Sequence, residues 1–162
     1  MPMRDPLATY VHDHLAGARG AVTLLEVLRD QYAGEPLGLF AVELLAEVEA
    51  DRTVLQGVAD RVEAGSNALK EAIIWLGGKV SRMKFGRHAN GQLGTFEALE
   101  ALALGILGKQ ALWRALAVVA ATDPRLRGVD FHQLATRAEA QHGRVEAHRL
   151  AVAPVALQAT PA

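Results

Sequence analysis

Cysteine is absent from the chain, which removes disulfides, thiolate catalysis and thiolate-held zinc and leaves the compartment undecided on that ground. Proline is scarce, at 6 residues, so long helices can run uninterrupted. An excess of charge of one sign is missing too. The net charge of -1 creates no global field that would recruit nucleic acid or an acidic surface. No Walker A loop, Gly-x-Gly-x-x-Gly, Gly-x-Ser-x-Gly or His-Glu-x-x-His stands in the sequence, so enzymatic chemistry has no visible motif. No unbroken apolar segment follows Met1 to Pro6, so no signal peptide is expected and a cytoplasmic location is. A period of 20 to 50 residues, the mark of a solenoid, is also lacking.

What is present is an apolar share of 51% over 162 residues, enough for one domain with a real core. That domain is expected over residues 1–162, with its core at about 6–153 and a frayed tail at 154–162. Thr95 to Thr122 dominates the chain. Between Phe96 and Ala121 the charges are Glu97, Glu100, Lys109 and Arg114. Leucine and alanine fill the rest, which favours a long helix. Apolar residues cover nearly every direction of it, as in a helix buried among others. Interior charges are too costly for a bilayer, so the stretch reads as the inner helix of a soluble bundle.

Asp5-Pro6 starts a first helix, with Asp as N-cap and Pro at the first helical position. Leu7, Val11, His14, Ala18, Ala21, Leu25, Leu28 and Tyr32 then repeat at three and four residues. Ala33-Gly34-Glu35-Pro36 ends this helix and begins a second, to about Ala64, with Leu37, Phe40, Leu44, Val48, Leu55, Val58 and Val62 inward. A shorter helix, weakened by Gly77-Gly78, is expected from Leu69 to about Phe85, and Gly86 to Gly94 reads as a loop. Thr95 is the expected N-cap of the third long helix. Asp123-Pro124 and Gly128 form the next turn. Asp130 with Gln133 caps the last helix, which Pro154 is expected to end. The spacing predicts an all-α, up-down-up-down four-helix bundle with a short accessory helix between the second and third long helices.

At 100° per residue, some polar residues fall on inner faces. Glu47, Asp51, Gln110, Arg114 and Gln141 come to similar heights and form one expected buried polar layer. His14, His148 and Glu100 form another. The first has the composition of an internal ion-pair network, since a buried carboxylate needs partners. The second has the donors for a divalent iron, manganese or zinc ion, although core histidines bonded to neighbours are the simpler reading. Glu139-x-x-His142 points to the outer flank.

Four long helices, inward carboxylates and the Glu139-x-x-His142 spacing together resemble the ferritin-like superfamily. Di-iron bundles of that kind carry a Glu on each of two helices and Glu-x-x-His on each of the other two. This chain departs from the pattern. Glu49-Ala50-Asp51-Arg52 has arginine where a histidine ligand belongs, and the third helix brings Gln110 and Trp113 to the height of His142. The resemblance therefore implies a ferritin-like fold without the di-iron centre and no cofactor, with an atypical metal-binding member (iron handling or oxidoreductase) as the alternative.

Lys79, Arg82, Lys84 and Arg87 form a basic patch beside Trp75, Met83 and Phe85, read as a solvated face, so that neither nucleic acid nor a membrane is an expected partner. Gly105-x-x-Gly108 permits close helix approach, within the bundle or across a homodimer interface. The expected function is non-catalytic, through self-association or binding of a protein partner.

Overall fold

A computed structural model describes residues 5–64 and 91–159. The expected accessory helix and the basic patch at Lys79, Arg82, Lys84 and Arg87 lie outside them. The described residues form four long helices and no strand: α1 (Pro6–Gln31), α2 (Pro36–Glu63), α3 (Gln92–Val119) and α4 (Phe131–Ala156). A 3-10 turn, Pro124–Leu126, sits between α3 and α4.

The helix starts follow local chemistry. Asp5 accepts from the Leu7 N–H at 2.9 Å, and Pro6 occupies the first position of α1. Asp130 does the same for α4, accepting from the Gln133 N–H at 2.9 Å. The turn into α2 uses Gly34 at φ +81°, a left-handed conformation that glycine adopts without steric cost. Two boundaries differ from expectation. Thr95 does not cap α3, which begins three residues earlier at Gln92. Its buried hydroxyl lies 2.6 Å from the Tyr32 hydroxyl and 3.2 Å from the Gly91 carbonyl oxygen, tying the start of α3 to the end of α1. Pro154 does not end α4, which continues to Ala156. The ring removes one backbone donor near a helix end where Leu150 is exposed, so water can satisfy the freed carbonyl.

α1 packs along α2 and α3 along α4, and the two pairs meet through α1 against α3 and α2 against α4. Val11, Leu25, Leu28, Leu44, Val58, Leu99, Leu102, Leu116 and Val145 are buried in one core. Trp113 is wholly buried and stacks on Phe131 at 6.0 Å between centroids.

α3 is not the buried inner rod that its composition suggests. Its Leu102, Ile106, Trp113 and Leu116 side faces the core, while Leu104 is 64% exposed and Val118 76%. It is long and apolar enough by length and composition to cross a bilayer, but with α4 against one side it has the burial pattern of a one-sided bundle helix. Gly105 and Gly108 make no close helix approach, since a Cβ at either would meet nothing within 4 Å among the described residues.

Candidate functional site: a buried charge layer beside an apolar cleft

α2 carries Glu47 and Asp51 one turn apart, with Asp51 in line with Leu44, Val48, Leu55 and Val58. Asp51 as a whole residue is 2% exposed. α3 places Lys109 opposite, three residues after Ile106 and four before Trp113. α4 supplies Arg137, Gln141 and Arg144, again at steps of four and three. The Lys109 ammonium donates to Asp51 Oδ2 and to Gln141 Oε1, both at 2.5 Å. The Gln141 amide donates to Glu47 Oε2 at 2.9 Å and to Asp51 Oδ2 at 3.3 Å. Arg137 donates to Asp51 Oδ1, and Arg144 holds both oxygens of Glu47 at 2.6 Å.

Every carboxylate oxygen of this layer therefore has a cationic or amide donor. Gln141, with no exposed surface, is oriented by chemistry at both ends: its oxygen faces the ammonium and its nitrogen the two carboxylates. Burial pushes the Lys109 pKa below its ordinary value, and Asp51 opposes that shift. Burial alone would raise the Glu47 pKa, but the Arg144 and Gln141 hydrogen bonds bring it below the usual carboxylate value.

Of the expected layer, Glu47, Asp51 and Gln141 are brought together. Gln110 and Arg114 are not part of it. Gln110 is buried but donates to Glu139 at 3.5 Å on the α3–α4 flank, and Arg114 is exposed. The cation of the layer is Lys109, supported by Arg137 and Arg144 reaching in from the edges.

The expected His14, His148 and Glu100 layer is not assembled. His14 packs edge-on against Tyr10 at 4.8 Å, His148 stacks on Phe40 at 4.1 Å, and Glu100 accepts from Arg149 at 3.1 Å. Among the described residues no three His, Cys, Asp or Glu side chains are grouped so as to hold a metal ion. Glu139 is exposed and His142 half-buried. One further polar pair appears that the sequence analysis did not single out: His12 Nε2 meets the buried Glu63.

Beside the charge layer a cleft of 160 Å³ opens between α1, α2 and α3. Gly17, Ala18 and Ala21 form one edge and Ala101 and Gly105 another, with Asp51, Lys109 and Trp113 also in the lining. Small residues at these edges leave space where larger ones would close the helices together. The volume is close to the roughly 150 Å³ of an engineered cavity that takes up benzene. It has room for an apolar group, and among the described residues its lining carries no hydroxyl or thiol nucleophile.

Comparison with family models, with curated proteins and with solved structures returns no match for this chain. The arrangement of charge, cleft and exposed helix face is thus the basis for a functional reading.

The histidines predict a pH response. Burial lowers the pKa of His14, against the Coulombic pull of Asp13, and lowers that of His148. Between the lowered folded values and the ordinary value of about 6.5 the unfolded chain binds more protons, so stability falls as pH falls through that window. The carboxylates with lowered values, Glu47 and Asp5 among them, add their own loss only below about pH 4. The melting temperature is expected to decline between pH 7 and pH 5, and to decline less in the His14→Gln/His148→Gln variant. A profile that is flat over that range in the parent protein would contradict the assignment.

Proposed function

We propose that this chain is a non-catalytic, ferritin-like bundle in up-down-up-down order that keeps no di-iron centre and acts by association. The observation that carries the reading is the saturation of Asp51 and Glu47 by Lys109, Arg137, Arg144 and Gln141. A carboxylate already held by fixed cations is a poor ligand for a dication, because those cations repel the incoming charge. It is also a poor general base, because its lone pairs are engaged. The layer then serves to set the register of α2, α3 and α4, a role for which buried polar groups are suited. The cleft fits the same reading, since it offers space for an apolar group while the Asp51 and Lys109 in its lining are paired with each other.

Metal analysis of untagged protein tests this directly. Less than about a tenth of an equivalent of iron, manganese or zinc is expected after purification and after incubation with each ion followed by desalting. Stoichiometric metal that is lost in Asp51→Leu or Glu47→Gln would replace the reading with the metal-binding one.

A further inference from the structure

The outer face of α3 has a pattern that its core face does not require. Starting at Leu93, alternating steps of four and three residues lead to Val118, and every residue on that path is exposed. This is the 3.5-residue repeat of a coiled-coil seam, running on the side of the helix turned away from the core. Leu104 and Leu107 lie at its middle, 64% and 42% exposed. Single exposed leucines are ordinary on a protein surface, but Leu104 and Leu107 lie side by side on this path, with Leu93 and Val118 at its ends and Glu97, Glu100 and Arg114 between, a mixed apolar and charged face suited to packing on another helix.

The row is also self-complementary. When two copies of α3 are laid against each other in opposite directions about a centre between Gly105 and Ile106, Leu104 falls opposite Leu107 and Glu100 opposite Ala111. In the same register Glu97 falls opposite Arg114, and Leu93 opposite Val118. Leu104 thus meets Leu107 and Leu93 meets Val118, the acid Glu97 meets the base Arg114, each twice, and Glu100 facing Ala111 keeps Arg149 as its partner. A two-fold axis imposes this reciprocity on any isologous dimer. A parallel pairing would instead set Glu97 on Glu97 and Arg114 on Arg114, which is unfavourable. Neither Glu97 nor Arg114 has a hydrogen bond or ion pair among the described residues, whereas Glu100 at the same face is held by Arg149 at 3.1 Å. Two opposite charges that are unpaired among the described residues, placed symmetrically about an apolar centre, are complementary to a second copy of the same helix.

We infer that α3 is the interface of an antiparallel homodimer, in which the Leu93 to Val118 seams of two chains pack at the shallow crossing angle of a left-handed coiled coil. This deepens the reading of a protein that acts by association and rests on it. Each protomer would keep its core contacts, because the seam points away from the buried side of α3.

The absence of cysteine makes the register testable in the full chain. Sedimentation equilibrium should give twice the chain mass for the parent protein. Glu97→Arg and Arg114→Glu should each weaken the dimer by about tenfold, and the double exchange should restore it, with unchanged helical circular dichroism throughout. Mixing Leu104→Cys with Leu107→Cys protein should give a cross-linked heterodimer faster than either variant gives a homodimer. A monomer at all concentrations, a dimer indifferent to both charge reversals, or preferred cross-linking of like positions would overturn the interface. So would a monomer that partitions onto lipid vesicles through the same leucines. None of these outcomes depends on metal content, so the interface and the metal-free reading fail separately.

Discussion

Asp51→Ala lowers the stability of the bundle by about 3–5 kcal/mol at neutral pH, the cost of breaking a buried ion pair by removing one partner. The carboxylate is 3% exposed and accepts from Lys109, Arg137 and Gln141. Without it, the Lys109 ammonium keeps only Gln141, among the described residues, within hydrogen-bond reach. Its side chain is 16% exposed, too little for water to replace the lost charge. Arg137, at 41% exposed, can turn outward and so adds little to the penalty. Two comparisons separate this mechanism from simple loss of packing. Lys109→Met should cost less than Asp51→Ala, because Asp51 keeps Arg137. Asp51→Leu/Lys109→Met should recover most of the loss, because an apolar pair has no desolvation to repay. At about 2–4 °C per kcal/mol for a chain of this size, thermal melts resolve all three. Equal destabilisation in the single Asp51 variant and the double variant would refute the charge argument.

Gly38→Ala is expected to destabilise by about 2–3 kcal/mol, although alanine is by far the better helix former. A Cβ at Gly38 would lie 1.9 Å from the Tyr32 carbonyl oxygen and 2.6 Å from its carbon. These are backbone atoms, and they are fixed from two sides: Glu35 N–H donates to that same oxygen at 3.0 Å, and the Tyr32 hydroxyl is tied to Thr95. The methyl group has to push the turn open against both. Gly143→Ala provides the control, since it is helical, exposed and has nothing within 4 Å of its added Cβ. It should stabilise by roughly 0.5–1 kcal/mol through helix propensity alone. Denaturant unfolding should show the two substitutions moving the midpoint in opposite directions, and a shift of the same sign would contradict the steric account.

The parts of this fold legible in sequence are those written in short-range chemistry. Asp5-Pro6 and Gly34-Glu35-Pro36 mark helix starts because proline needs no donor partner there. Asp51 and Gln141 stand in apolar stripes at steps of three and four, so rotation alone places them inward. Lys109 was equally placed between Ile106 and Trp113, but a lysine in a stripe suggests a surface residue. Its four-carbon stem lets the ammonium reach a buried carboxylate, just as Arg137 and Arg144 reach in from the helix edges. Side-chain length thus decides the identity of the cation, which direction from the backbone alone leaves open between Lys109 and Arg114. His14 was misplaced for the opposite reason: Gly17, Ala18 and Ala21 nearby are too small to close the helices, and the stripe there borders a cleft. The exposed side of α3 was hidden by composition, because leucine and alanine on all sides leave no polar face to contrast with an apolar one.

One contact has a bearing on how long the folded state lasts. Arg125, in the 3-10 turn, donates to Asp5 at 2.5 Å, to Asp123 at 2.6 Å and to the Val62 carbonyl at 3.4 Å. It thereby joins the start of α1, the end of α2 and the α3–α4 turn. Asp5 and Arg125 are 120 residues apart in the chain, so the loop they close is among the longest the described residues make. Contacts that close long loops form after local helix pairs, because their entropic cost is met only once the intervening structure exists. An interaction absent from the folding transition state leaves the folding rate nearly unchanged and acts on the rate of unfolding. Arg125 is therefore a determinant of lifetime: a latch that engages late and must be released early.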